Sequence, residues 1–452
     1  MATTSFSRTS GTPTNALKWT FSVWVKIGQP IDGDRWLLDF NTDSNNRSQI
    51  GWTYDYSKPQ LIVYEKVSSS TSQLFTSAQA FEDSSAFYNI VVSCDRTLAT
   101  QEDRTKIYIN GERMTSFHTT PNYPAQNVTG IINTAVDTLI GKYSQSTVYY
   151  DGLMSYYCFV DGTAYDASYF GETESSSGIW KIKTSPSVTY GNNGFFLKMD
   201  TSSPGTDTSG NNNTFTPAGT PTLTQDNASN NFCTLNPNAP QGSDASNIVF
   251  TNGNTTWTST TYSSFPTGTT LFGAGKWYYE VKLGGVNQKY GWAESNVGQG
   301  DPDYSMVVPS YWIYTAGNGN VSTANNATTN NASIRAGWTG WTTNDILGLA
   351  LDIDNGKFYA SLNGTWYNSG DPAAGTGAIV TGITQQSTGL WMPFLGSGDN
   401  SSITNYANFG NGFFGTTAVA SSNADANGYG LMEYAVPTGF YTLCTKNINT
   451  YG

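Results

Sequence analysis

The segment Phe21-Ser-Val-Trp-Val25 alternates apolar and polar side chains with period two after a Gly/Thr/Pro-rich lead-in, the pattern of a strand with one buried face. Further segments of this kind fall at 36–40, 50–54, 61–65, 88–94, 106–110, 138–141 and 151–160, separated by turn clusters such as Asp32-Gly-Asp and Asn110-Gly. Many short strands at regular spacing predict a β-sandwich. From about 185 to 244 the pattern dissolves into Pro, Gly, Asn, Thr and Asp, although Phe195-Phe-Leu-Lys-Met199 inside it reads as a strand. A second series begins near Ile248 and covers 276–282, 290–293, 311–315, 345–351, 357–362, 391–395 and 403–409, with Asp352-Ile-Asp-Asn-Gly as a tight hairpin turn. Asn231-Phe-Cys-Thr-Leu-Asn236 and Phe440-Tyr-Thr-Leu-Cys-Thr445 share wording at the two ends of this second series and are expected to be neighbouring strands that close it.

The pattern therefore predicts an all-β chain of two tandem antiparallel β-sandwich domains, which the resemblances given below make jelly rolls: 1–200, a junction over 201–245, and 246–452. A length of 452 residues suits two cores. Only 12% of residues are charged, against a usual share of about 25%, while Gly is abundant at 47 and aromatics reach 14%. Thr, Tyr, Trp and Val suit a pleated surface, and helix-forming residues are too scattered to build a long helix.

A formal net charge of −12, with no Lys/Arg cluster to interrupt it, repels phosphate backbones and argues against a nucleic-acid ligand. Cys94, Cys158, Cys233 and Cys444 lie far apart with no CxxC pair, so buried free thiols are expected in place of a zinc knuckle or a disulfide framework. Met1 to Leu17 lacks a basic stretch followed by an apolar one, and no apolar run approaches membrane-spanning length. The expectation is a protein that neither inserts in a membrane nor leaves the cell by the general route.

Thr20-Phe-Ser-Val-Trp-Val-Lys26, Phe87-Tyr-Asn-Ile-Val-Val-Ser93, Lys106-Ile-Tyr-Ile-Asn-Gly111 and Tyr150-Asp-Gly-Leu-Met-Ser155 resemble the concanavalin A-like, laminin-G-type jelly roll. Gly275-Lys-Trp-Tyr-Tyr-Glu-Val281, Tyr290-Gly-Trp-Ala293, Asp345-Ile-Leu-Gly-Leu-Ala-Leu-Asp352, Lys357-Phe-Tyr-Ala-Ser-Leu-Asn-Gly364 and Met392-Pro-Phe394 resemble a SPRY domain. The tandem, with Phe170-Gly-Glu-Thr-Glu174, Gly178-Ile-Trp-Lys181 and Asn231-Phe-Cys-Thr-Leu-Asn-Pro237 around the junction, is similar to structural proteins of tailed phages. That resemblance implies a virion protein, folded in the host cytoplasm and exposed on the released particle. It would be a head fibre, capsid decoration protein or tail fibre that forms homo-oligomers with other virion proteins as neighbours. Both families chiefly bind through loops at the rim of a rigid sandwich, so attachment to host-surface glycan is the expected task.

The chemistry the sequence offers is sparse. His118 is the sole histidine, which excludes multi-His metal centres, and no nucleophile-elbow motif accompanies it. Glu172 and Glu174 have the alternate spacing of a glycosidase pair but sit in Gly-Glu-Thr-Glu-Ser-Ser-Ser-Gly, a turn sequence. Laminin-G-type domains often hold Ca²⁺, which makes Asp39, Asp43 and Asp151 weak candidate oxygen ligands; otherwise no cofactor is expected. Asp352 and Asp354 lack the remaining ligands of an EF-hand loop, and no GxxxxGK[ST] phosphate loop occurs. Tyr304, Tyr311, Trp312, Trp338 and Trp341 form the aromatic-rich stretch of the second domain and are the candidates for stacking on sugar rings. A non-enzymatic protein is expected. The alternatives that stay open are a purely structural role in capsid or tail, and a polysaccharide depolymerase using Glu172 and Glu174.

Overall fold

The structure is a computed structural model and describes residues 4–28, 33–55, 57–145, 147–200, 203–240, 242, 244–261, 264–295, 310–315, 321–325, 332–335, 337–384, 389–397 and 402–452. The chain divides into two compact units, 1–223 with 227–229, and 224–226 with 230–452. Among the described residues the elements are almost all strands, and the one α-helix is Thr445–Tyr451.

The first unit is a sandwich of two antiparallel sheets. One sheet has the order Thr216–Ala218, Ser5–Thr9, Asp137–Ile140, Arg35–Asp43, Asn46–Thr53, Gln60–Val67 and Ser70–Ala80. The other runs Phe195–Leu197, Gly152–Asp161, Lys18–Ile27, Tyr88–Asp95, Thr105–Ile109 and Glu112–Arg113. Trp19, Phe21, Val23, Val25 and Ile27 point into the shared core with Leu38, Phe40, Ile50, Trp52 and Phe159. The single buried face expected for this strand is a correction, since Trp24 and Lys26 on its other side are buried too. A second apolar layer of Val91, Cys158, Val160, Phe170 and Phe196 covers that side. Over it lies the hairpin of Gly171–Thr173 and Trp180–Ile182, whose Trp180 donates its indole N–H to Asn89 Oδ1 at 3.0 Å.

A buried ion pair ties the two sheets together: Arg96 Nη2 lies 2.8 and 2.9 Å from the two oxygens of Glu65, both side chains being almost fully buried. Ser48, Ser72 and the Ile131 N–H also donate to that carboxylate. Gly130 is required beside it, because a Cβ there would collide with Glu65 Oε2 and Arg96 Nη2.

The junction expected over 201–245 is parcelled between the two units. Phe215 belongs to the first core, and Thr216–Ala218 pairs with Ser5–Thr9. Asp207 gathers the N–H groups of Phe196, Ser209 and Asn213, so a stretch rich in Asn, Ser and Asp is ordered by side-chain bonds to backbone. Phe232, Cys233 and Leu235 are buried in the second unit, which leaves 224–230 as the crossing.

The second unit pairs a larger sheet, Val249–Thr251, Thr256–Ser259, Ile403–Asn408, Lys276–Lys282, Ile346–Asp352, Lys357–Leu362 and Thr365–Trp366, with a smaller one, Ala332–Arg335, Val321–Asn325, Ser310–Thr315, Gln288–Glu294 and Trp391–Ser397. The hairpin expected at Asp352 joins Ile346–Asp352 to Lys357–Leu362. The two similar end segments are neighbours as expected: Phe232 bridges Cys444, and the Cys233 N–H donates to the Leu443 carbonyl at 2.8 Å. Trp277, Tyr279 and Val281 face the core, whereas Tyr278 and Glu280 face outward beneath Met432, Val436 and Phe440.

All four cysteines are buried thiols outside any disulfide. They are expected to stay unmodified by an aqueous thiol reagent in the native protein and to react fully in denaturant; rapid native labelling would contradict this burial. No helix among the described residues is long and apolar enough to cross a membrane.

Candidate functional site

The aromatic stretch of the second domain is not an exposed platform. Tyr311 and Trp341 sit in the core, Tyr311 against Trp391 at 5.6 Å and Trp341 against Tyr290 at 6.0 Å. Trp312 is buried on the opposite face of its sheet with Phe265, Met392 and Phe394, and Lys289 Nζ stands 5.2 Å from its ring centroid. Trp338 is half-buried and stacked on Tyr367 at 5.0 Å. Tyr304 lies outside the described residues. Large aromatics contribute most when buried, and in this stretch that term decides their position.

Glu172 and Glu174 lie in different surroundings. Glu172 is exposed on the short hairpin strand Gly171–Thr173; Glu174 lies beyond it, accepts from Ser177 and pairs with Lys181 at 3.1 Å. Those donors and the Lys181 charge hold the Glu174 carboxyl below its ordinary range, the opposite of what a general acid needs. His118 is exposed, its Nδ1 3.4 Å from the Gln60 amide.

The three calcium candidates do not assemble: no group of three or more His, Cys, Asp or Glu side chains suited to a metal occurs among the described residues. Asp43 caps a turn, its Oδ1 accepting from the N–H groups of Asn45 at 2.7 Å and Asn46 at 3.0 Å. Asp151 stands before the strand Gly152–Asp161; burial raises its carboxyl and Arg35 pulls it down. Asp39 belongs to a different arrangement.

Alternate residues of the neighbouring strands Arg35–Asp43, Asn46–Thr53 and Gln60–Val67 project from the outer face of their sheet. The register sets Asp39 opposite Gln49, Gln49 opposite Tyr64, and Arg47 opposite Lys66. The segment after Asp137–Ile140 folds over this row, and the Ser144 N–H donates to Asp39 Oδ2 at 3.1 Å. The Arg47 guanidinium carbon lies 5.5 Å from the ring centroid of Tyr64 and 5.3 Å from that of Tyr143, so one cation serves two tyrosine rings. Arg47, Tyr64 and Tyr143 are half-buried, while Asp39 and Gln49 beneath them are fully buried.

This floor is polar and unsatisfied. Asp39 Oδ1, Gln49 Nε2, Ser144 Oγ and Arg47 Nε are all buried without an aligned hydrogen-bond partner, an uncommon grouping for atoms that cost free energy when left unpaired. Burial pushes the Asp39 carboxyl up to about 6, against the pull of the Ser144 N–H, the nearby Ser144 and Gln49 side chains and the Arg47 charge. Sequence reasoning singled out Asp39 but missed Arg47, Gln49, Tyr64, Tyr143 and Ser144. Period two places Arg47 with Gln49, and Tyr64 with Lys66, on one face; pairing those rows with each other takes the register, which no local pattern states.

Residues 2–157 match the family model described as the concanavalin A-like lectin/glucanases superfamily, laminin-G type. The first domain is a concanavalin A-like domain. No curated protein matches the chain. In structure the chain is similar to the SPRY domain of human HERC1, with 13% identity over 38% of this chain and 96% of that one at a TM-score of 0.29. It is also similar to the TRIM65 PSpry domain, with 13% identity over 39% and 91% and a TM-score of 0.29. A heptameric SAP-like pentraxin from Limulus polyphemus shows 14% identity over 36% and 70%, with a TM-score of 0.26. The tyrosine–arginine row lies within the concanavalin A-like domain.

Proposed function

We propose that the protein is a non-enzymatic component of a phage particle that attaches to host-surface glycan through the outer face of its concanavalin A-like domain. The observation that carries this reading is the Arg47 guanidinium held between Tyr64 and Tyr143 above a buried, unpartnered polar floor. Half-exposed tyrosine faces take the C–H face of a sugar, and the Arg47 charge between them takes its oxygens. Such a patch gives weak binding per site. A homo-oligomer on a particle turns later contacts into intramolecular ones, so modest affinity suffices. The virion setting is supported by the similarity of the junction motifs to tailed-phage structural proteins.

Hydrolysis of a glycosidic bond takes two carboxyl groups about the scissile bond. Asp39 has amide, hydroxyl and guanidinium neighbours in place of a second acid, which supports binding over cleavage.

The test is saturable binding of labelled protein to intact host cells, competed by whole phage. Removing both rings in Tyr64→Ala/Tyr143→Ala is expected to weaken that binding by about tenfold or more with the fold intact by circular dichroism. Absence of saturable binding by the oligomer, or an unaffected double variant, would overturn the reading in favour of a purely structural part.

A further inference from the structure

The charge around the tyrosine–arginine row is opposite to that of the molecule. The chain carries 33 acidic and 21 basic residues, yet this face sets Arg47 directly opposite Lys66 in register and places Lys142 next to Tyr143. Lys142 Nζ lies 5.1 Å from the Tyr149 ring centroid. The exposed acid nearby is already engaged: Asp43 accepts from both Asn45 and Asn46, and these bonds, with Lys66 contributing, hold its carboxyl below the ordinary range. Of the Arg47 nitrogens, Nη1 donates to the Ser44 carbonyl at 2.6 Å, while Nε has no partner. Beneath it the Gln49 and Ser144 side chains are buried beside Asp39 and help hold its carboxylate, so the groups left to meet a ligand are the cations above them. The excess of positive charge calls for an anionic ligand.

We infer that this face is a metal-independent subsite for an acidic saccharide, whose sugar carboxylate is received by Arg47 and whose ring lies against Tyr64 and Tyr143. The inference rests on the glycan-binding reading and sharpens it to one class of sugar. A sugar carboxylate pairs with the Arg47 charge, and Lys66 and Lys142 add attraction without fixed geometry. Calcium is not needed, because the positive charge is supplied by side chains. Asp39 is the one acid facing the subsite from below, with Arg47, Lys66, Tyr64 and Tyr143 around it and Asp43 at the rim. An arriving carboxylate favours its protonated form, so binding takes up a proton and strengthens as the pH falls. A neutral sugar donating a hydroxyl to ionised Asp39 would show the opposite dependence.

The experiment is calorimetry with the full chain, using an oligogalacturonate and the same oligosaccharide with its carboxyl groups reduced to alcohols, in EDTA, at pH 5.5 and pH 8. The acidic form is expected to bind about tenfold or more tightly than the reduced form, to gain affinity at the lower pH and to lose it with added salt. Arg47→Gln should abolish the preference. Lys142→Gln, an exposed-side change that leaves the floor intact, should reduce it by a smaller factor. Equal binding of the two forms, or a requirement for calcium, overturns this inference while leaving glycan binding standing. Failure of both forms together with failure to bind cells overturns both readings.

Discussion

Arg96→Met is expected to destabilise the first domain by about 3–5 kcal/mol. The substitution keeps most of the side-chain volume and removes the charge and the guanidinium hydrogen bonds, so most of the loss measures what happens to Glu65. That carboxylate is buried; burial alone would raise its pKa, but the Arg96 charge and hydrogen bonds, the Ile131 N–H and Ser48 together hold it below the ordinary glutamate range. Without Arg96 it has hydrogen bonds from Ser48, Ser72 and Ile131 but no counter-charge. It then either stays ionised at a high cost or takes up a proton, which lowers stability at neutral pH. The Arg96 Nη1 bond to the Val128 carbonyl at 3.2 Å is lost as well.

The control is to neutralise the other partner. Adding Glu65→Gln to Arg96→Met removes the stranded charge while keeping an acceptor for part of the donor set, and is expected to restore about half of the lost stability. Urea denaturation with hydrogen exchange over 18–27 and 88–95 reads the effect in the strands that pack on this pair. An Arg96→Met protein within about 1 kcal/mol of the parent would mean that the pair is dispensable.

The architecture was legible in the sequence wherever period two was strong. The segments at 276–282 and 357–362 coincide with the observed strands Lys276–Lys282 and Lys357–Leu362, because alternating large apolar residues face one core. Ser70–Ala80 was missed since only Leu74 and Phe75 break a run of Ser, Thr, Gln and Ala, and an edge strand buries too little to need more. Ser5–Thr9 was missed because Phe6 is the one apolar side chain in Ser-Phe-Ser-Arg-Thr, and it is fixed by pairing on both sides with Asp137–Ile140 and Thr216–Ala218. The aromatic stretch misled because sequence shows which residues are large and not which face of the sheet is covered. Trp341 and Tyr311 are core residues, whereas Tyr64 and Tyr143, unremarkable in sequence, are the rings that flank a cation. Arg47 and Tyr143 are 96 positions apart, so their meeting is a property of strand order.

Glu280→Ala is the second large effect, and its size depends on pH. Glu280 projects from the outer face of Lys276–Lys282 and is fully buried. Its Oε1 accepts from the Tyr434 N–H at 2.8 Å and the Tyr278 hydroxyl at 3.0 Å, and its Oε2 from the Glu433 N–H at 2.8 Å. It thereby fastens the chain around 433–434 to the sheet. Alanine leaves these three donors without an acceptor, and each buried orphan costs about 1–3 kcal/mol. Burial, with Glu433 adding to it, pushes the Glu280 carboxyl up to about 7 from an ordinary 4.5, against the pull of the two N–H groups and Tyr278. A carboxyl raised in the folded state binds more protons there than in the unfolded chain between these two values. Its stabilising contribution is therefore complete below about 4.5 and is lost as the pH rises through about 7. The gap in stability between the parent and Glu280→Ala should be about 4 kcal/mol at pH 5.5 and should narrow by about 2 kcal/mol at pH 8. Urea titrations of both proteins at the two pH values measure it, and proteolysis in the 419–442 segment should follow the same order. A gap that is constant with pH, or that widens toward pH 8, would show that the carboxyl is ionised in the folded protein throughout. The hydrogen bonds that fasten this segment would then owe their strength to a buried charge.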